Sequence, residues 1–215
     1  MMDMINYIEK YKIICICRKV YGEELCKLAQ AMYDGGVRLM EVTFDQADPD
    51  CRQKTAQAIR MVNEAFGGRM RFGAGTVLNR EQVDAAKDAG AEYIISPNTN
   101  EEVIGYTKKL GLVSIPGAMT PSEILTAHNA GADFVKLFPT VYLGLSYLKD
   151  IKGPINHVKL LGTGGLTEEN LKDYLDMGMV GAGISGRLVD SELRKKNDYE
   201  ALTRRAAAFM AIAGT

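Results

Sequence analysis

Lys136 lies in an apolar strand, within residues 134–139 (FVKLFP), with aromatic and aliphatic side chains on both sides. Strand alternation puts it on the face of Phe134 and Phe138, with Val135 and Leu137 on the opposite face. One reading is a side chain that snorkels to solvent from a strand end. The other is an amine whose pKa is lowered by burial, leaving a neutral nucleophile for a carbonyl compound. Such an amine forms a Schiff base, which draws electrons out of an adjacent carbon–carbon bond. Glu41 is the matching acid or base. It occupies the middle of 39–43 (LMEVT), where a carboxylate is costly to bury unless paired. It is either ion-paired to Arg38 or Lys12, or sits beside the reactive lysine with a raised pKa and shuttles protons.

Arg18 follows the apolar run 12–17 (KIICIC). A guanidinium there suits bidentate binding of a carboxylate, or is simply solvated. Thr76 closes 73–76 (GAGT) and offers a hydroxyl where glycines let a ligand approach the backbone. The segments 162–165 (GTGG) and 183–186 (GISG) offer backbone N–H groups to an anion, or merely ease tight turns. Cys15, Cys17, Cys26 and Cys51 have no regular spacing and lie far from His128 and His157, so no zinc ligand set is expected. Those cysteines read instead as reduced thiols of a cytoplasmic protein. Ser122, Ser146 and Ser191 lack the surroundings of a hydrolase nucleophile.

These residues must be held by repeated strand-then-helix units. Apolar, β-rich runs at 12–17, 37–44, 71–76, 93–97, 112–117, 134–139, 157–163 and 180–185 read as strands. Amphipathic stretches at 23–33, 50–65, 80–89, 101–110, 121–130, 146–152, 168–177 and 199–213 read as helices. Thr120 is the expected N-cap of the fifth helix with Pro121 its first residue, and Thr167 the expected cap of the seventh. Buried strands alternating with helices make a parallel sheet. Eight units close into a (β/α)8 TIM barrel, and 215 residues lies near the lower end of that fold's range. A doubly wound open sheet usually has fewer strands, and no G-x-G-x-x-G follows the first strand. No linker or composition break divides the chain, so 1–215 is expected to be one barrel domain. In such a barrel, functional groups cluster at the C-terminal strand ends, with phosphate often held by the last two strand-to-helix loops.

Composition removes other classes. Lys and Arg total 26 against 27 Asp and Glu, a net charge of −1 with no polyanion-binding signature, so no nucleic-acid partner is expected. At 47% hydrophobic and 25% charged residues the chain is too apolar for disorder. No apolar stretch approaches the roughly 18–20 residues of a membrane span. Asp3 and Glu9 interrupt any secretory signal at the N-terminus.

Ordered motifs through nearly the whole chain carry a family resemblance. They are 35–37 (GGV) leading to 41–44 (EVTF), 73–78 (GAGTVL), 95–98 (ISPN), 115–121 (IPGAMTP), 134–139 (FVKLFP) and 163–165 (TGG). In these the sequence resembles the class I aldolases of 2-dehydro-3-deoxy-6-phosphogluconate (KDPG) and related 2-keto-3-deoxy sugar acids. The resemblance implies Lys136 as the Schiff-base lysine and Glu41 as general acid/base. It implies Arg18 and Thr76 at the carboxylate end of the substrate, with Pro97 and Phe138 shaping the pocket. Thr163, Gly164 and Gly165, with the loop carrying Gly183, Ser185 and Gly186, would hold the phosphate. It also implies a homotrimer that needs no metal or organic cofactor. Two positions depart from the pattern. Asp45 stands where some members carry a substrate-contacting arginine, and would repel an anion. The last loop reads Ser185-Gly186 rather than Gly-Ser and is followed by Arg187. The activities in view are KDPG cleavage, cleavage of 4-hydroxy-2-oxoglutarate (KHG) or of the phosphogalactonate analogue, and a silent barrel that only binds phosphate ligands.

Overall fold

The computed structural model describes residues 2–214. Helix α1 (Met4–Tyr11) precedes strand β1 (Ile13–Cys17). The chain then alternates through α2 (Gly22–Asp34), β2 (Leu39–Thr43), α3 (Cys51–Phe66), β3 (Arg71–Gly75), α4 (Arg80–Asp88), β4 (Tyr93–Ile95) and α5 (Glu101–Lys109). Strands β5 (Val113–Ile115) and β6 (Gly117–Ala118) follow, then α6 (Pro121–Asn129), β7 (Val135–Leu137) and α7 (Thr140–Lys152). The last elements are β8 (Leu160–Thr163), α8 (Leu171–Asp176), β9 (Gly181–Ile184), α9 (Ser191–Lys195) and α10 (Tyr199–Ala213).

The strand pairings are all parallel, in the order β5-β4-β3-β2-β1-β9-β8-β7-β6. β5 and β6 are two halves of the one strand expected over 112–117. Pro116, which has no N–H to donate, separates them. β5 pairs with β4 and β6 with β7, so the chain at Pro116 joins the two ends of the sheet. The Pro116 carbonyl accepts the Lys136 N–H at 2.8 Å, and the Ser114 carbonyl accepts the Phe134 N–H at 3.3 Å. The result is the TIM barrel that the eight strand–helix units predict.

Alternation sorts the strand residues into two apolar clusters. Ile13, Cys15, Met40, Phe72, Val135 and Leu137 face outward and pack with the helices in the larger one. Ile14, Leu39, Tyr93, Ile115, Phe134 and Leu161 fill the barrel, and Ile8 of α1 closes its lower end. Lys136 lies on the inward face with Phe134, as its spacing predicts.

Local differences have local causes. α1 was not expected; Asp3 caps it by accepting the Asn6 N–H at 2.9 Å. α6 starts as predicted: Thr120 accepts the Glu123 N–H at 3.3 Å, Glu123 returns a bond to the Thr120 N–H at 2.8 Å, and Pro121 is first. Thr167 does not cap α8. It forms a turn with Asn170, whose Oδ1 accepts the Thr167 N–H at 2.8 Å, and the helix begins at Leu171. α7 begins at Thr140 rather than near Ser146, with a non-helical break at Gly144. α9 is a further short helix, capped by Asp190. Among the described residues no helix is long and apolar enough to cross a membrane.

Candidate active site

The barrel's C-terminal mouth opens on a cavity of about 630 Å³. Arg18, Thr76, Pro97, Lys136, Phe138, Thr163, Gly164, Gly165, Ser185 and Gly186 all line it. Beneath lies a void of about 10 Å³ lined by Glu41, Ile14, Ile16, Ile95, Ile115 and Leu161. Lys136, Thr163 and Gly183 border both spaces, so the lysine stands between the open mouth and the buried carboxylate.

Lys136 sits mid-strand, opposite Gly117 on one side and Leu161 on the other. It is only 7% exposed, which excludes the snorkelling alternative. Its Nζ lies 4.8 Å from the centroid of the Phe138 ring. Burial holds its pKa below the usual lysine value; the Glu41 charge opposes that shift and the Arg18 charge adds to it. Glu41 is opposite Ile16 and Gly73 and is 1% exposed. Burial raises its pKa, against the pull of Lys136 and Arg18. Its Oε2 is buried without a hydrogen-bond partner among the described residues. Glu41 makes no ion pair with Arg38 or Lys12, because both are engaged elsewhere. Arg38 donates to the Tyr33 and Val37 carbonyls at 2.7 and 3.0 Å, and Lys12 to the Ala213 carbonyl at 2.8 Å. The strands thus bring a buried amine of lowered pKa and a buried carboxylate to the border of one void, an arrangement more often met at functional sites than in an ordinary core.

The glycine loops after β8 and β9 form the wall that adjoins the lysine strand. Gly164 and Gly165 take φ of 97° and 79°, and a Cβ on Gly165 would lie 2.7 Å from Val141 Cβ. Only glycine fits there comfortably. Thr140, fully buried, ties this wall to the lysine strand. Its Oγ1 accepts the Thr163 N–H at 2.7 Å while its hydroxyl donates to the Leu137 carbonyl at 2.7 Å. Ser185 donates to the Ile16 carbonyl at 3.3 Å. Among the described residues, the N–H groups of Gly165, Gly186 and Arg187 donate to no protein acceptor. Free backbone donors of this kind can serve a small anion without any requirement for a basic side chain.

The family model for KDPG and KHG aldolases matches residues 4–205. The chain belongs to the KDPG and KHG aldolase family. It is 33% identical over 202 residues, covering 94% of each chain, to the 2-dehydro-3-deoxy-6-phosphogalactonate aldolase of Escherichia coli strain K12. A KHG/KDPG aldolase of the same strain is 33% identical over 186 residues, 86% of this chain and 84% of its own. A crystal structure of KDPG aldolase from Legionella pneumophila, with pyruvate captured at low pH as a covalent carbinolamine intermediate, superposes with a TM-score of 0.84. It is 26% identical and covers 95% of this chain and 97% of its own.

Gln46 and Gln82, which brace the expected site residue Thr76, and Leu166 and Thr167 on the cavity wall were not picked out as site residues by sequence. Thr76 has φ 57°, a left-handed conformation that β-branched residues rarely adopt. Gln46 Nε2 donates to its carbonyl at 2.7 Å, and Gln82 Nε2 to Gln46 Oε1 at 2.9 Å. Gln82 Oε1 in turn accepts the Leu78 N–H at 2.8 Å. Leu166 and Thr167 also line the cavity. Asp45 is not in the lining; Lys19 holds it in an ion pair at 2.9 Å and keeps its carboxyl below the usual range. The expected repulsion of an anion by Asp45 is therefore offset by a neighbouring cation. The histidines stack T-shaped, 5.0 Å apart, and among the described residues no three His, Cys, Asp or Glu side chains group as a metal site would need.

Gly75 makes room for the carboxylate. A Cβ there would overlap Glu41 Oε1 and lie 2.7 Å from its Cδ. Gly75→Ala should destabilise the protein by about 1–3 kcal/mol through overpacking and lower kcat by displacing Glu41. Urea unfolding and initial rates check both; a variant with wild-type stability and kcat would show that the carboxylate has slack.

Proposed function

We propose that this aldolase works through a Schiff base on Lys136 and cleaves KDPG to pyruvate and glyceraldehyde 3-phosphate. The observation that carries this reading is one buried amine of lowered pKa bordering the same void as a buried carboxylate whose Oε2 has no hydrogen-bond partner among the described residues. The neutral amine adds to the carbon-2 ketone, and loss of water leaves an iminium. Glu41, as carboxylate, takes the proton of the carbon-4 hydroxyl. The bond between carbons 3 and 4 breaks, its electron pair passes to the iminium to form an enamine, and the aldehyde leaves. Protonation at carbon 3 and hydrolysis release pyruvate and restore the amine. The covalent carbinolamine named for the Legionella relative supports this route. Arg18 and Thr76 take the carboxylate end of the substrate, Pro97 and Phe138 its flanks. The free amides at Gly165 and Gly186 take the phosphate, with Thr163, Gly164 and Ser185 beside them.

Intact mass spectrometry after pyruvate and borohydride, with peptide mapping, tests the chemistry. A reduced pyruvyl adduct on Lys136 is expected; a folded protein with no adduct would favour a barrel that only binds phosphate ligands. The substrate is tested separately. KDPG is expected to have the highest kcat/KM among KDPG, its galactonate epimer and KHG. Preference for the epimer would follow the phosphogalactonate relative, and preference for KHG the KHG/KDPG relative. The family resemblance also implies a homotrimer, which sedimentation equilibrium measures directly.

A further inference from the structure

Arg187 lines the cavity at the end of the last strand-to-helix loop, where backbone amides alone would serve a phosphate. Its Nε donates to Glu168 Oε2 at 2.9 Å, and its Nη2 lies 2.9 Å from the same oxygen in an ion pair. Glu168 belongs to the loop after β8 and Arg187 to the loop after β9, so the pair bridges the two amide-bearing turns. Arg205 fixes the Arg187 backbone: its Nη1 donates to the Arg187 carbonyl at 3.2 Å and to Asp190 Oδ2 at 2.8 Å. The Arg187 side chain is 46% exposed, and an ion pair in that setting contributes little to stability. Its effect is on direction. With Nε and Nη2 both held at one carboxylate oxygen the guanidinium is oriented, and among the described residues its Nη1 hydrogens have no protein acceptor.

We propose that Arg187 is a specificity-determining residue that reads the phosphate end of the substrate, with Glu168 positioning its guanidinium. This rests on the aldolase reading above. A phosphate monoester carries about −1.5 to −2 charge at neutral pH and three acceptor oxygens. A pre-oriented arginine adds charge-assisted bonds to those oxygens that neutral amides cannot match. A dephosphorylated substrate presents a hydroxyl in the same place and gains far less from the cation. Arg187 therefore widens the gap between the phosphorylated and dephosphorylated forms.

The test compares kcat/KM for KDPG and for its dephosphorylated counterpart in wild type, Arg187→Ala and Arg187→Lys. Charge-assisted hydrogen bonds of this kind change binding by about tenfold to a hundredfold. The preference for KDPG should fall by at least about tenfold in Arg187→Ala, and Arg187→Lys, which keeps charge without the fork, should restore part of it. Phosphorus NMR titration with inorganic phosphate asks the same question without turnover, and Arg187→Ala should weaken that binding in parallel. A preference within about twofold of wild type in Arg187→Ala, or equal losses on both substrates, overturns the proposal. So does unchanged affinity for inorganic phosphate. Failure of the aldolase reading has a different signature: wild type cleaves neither substrate and gains no pyruvyl adduct, while the phosphate titration still decides the role of Arg187.

Discussion

Lys136→Ala is expected to lose cleavage activity by more than about 10⁴-fold and to take up no pyruvate on borohydride reduction. Among the described residues no other lysine lines the cavity, so no neighbouring amine there can replace it. Lys136→Arg separates nucleophilicity from charge: it keeps a cation and should be equally inactive, since a guanidinium does not lose its proton near neutral pH. Residual cleavage by Lys136→Ala within a factor of about 100 of wild type would remove the covalent mechanism.

The same lysine should weigh against stability. Burial lowers its folded-state pKa from the ordinary value of 10.5, so the unfolded chain binds the proton more readily. Its contribution is complete above 10.5 and is lost as the pH falls through the lowered folded value. Lys136→Met, similar in volume and without charge, should therefore melt at a higher temperature than wild type, with the gap widening as the pH is lowered. Glu41 loses a cationic neighbour in that variant, but its pKa is already raised, and it can take a proton instead of staying charged in the core. Thermal melts across pH measure the gap. A Met variant less stable than wild type at every pH would mean that the lysine–glutamate attraction outweighs the cost of burying the charge.

Much of this site was legible in the sequence because charge in an apolar strand is costly. Lys136 and Glu41 interrupt otherwise buried runs, and alternation groups Lys136 with Phe134, although only the closed barrel shows that this face points inward. Glycine at the ends of β8 and β9 was equally readable, since close loop packing leaves no room for a side chain at Gly165. The illegible parts depend on contacts between segments distant in the chain. The Gln46–Gln82 bridge that holds Thr76 spans 36 positions. The Lys19–Asp45 and Arg187–Glu168 pairs likewise join successive strand-to-helix loops. In each case the residues are ordinary surface types, and only barrel closure brings them together. The break at Pro116 was visible as a residue but not as a consequence. A proline without an N–H reads as a local irregularity until β4 and β7 are found pairing with its two sides. α1 escaped notice because eight residues are too short for a helical period to stand out.

Glu41→Gln should separate carbon–carbon bond cleavage from imine formation. The amide keeps nearly the same shape against Gly75 but cannot accept the hydroxyl proton, so kcat should fall about 10²–10⁴-fold, the usual range for a positioned acid–base group. Trapping of pyruvate on Lys136 should change much less, because that adduct requires no cleavage of a carbon–carbon bond. Equal small effects on both measurements would make Glu41 a structural residue. The stability readout has a definite sign. Burial raises the folded-state pKa above the ordinary glutamate value of 4.5, so the native state holds the proton more tightly than the unfolded chain. Wild type keeps this contribution below 4.5 and loses it as the pH rises through the folded value. Glutamine does not titrate. The melting temperature of Glu41→Gln should therefore approach that of wild type in acid and exceed it increasingly towards neutral pH. A variant that is slower yet more stable at neutral pH would show that the carboxylate is kept for catalysis at a cost to the fold. A variant destabilised across the whole range would mean instead that its attraction to Lys136 and Arg18 outweighs its burial.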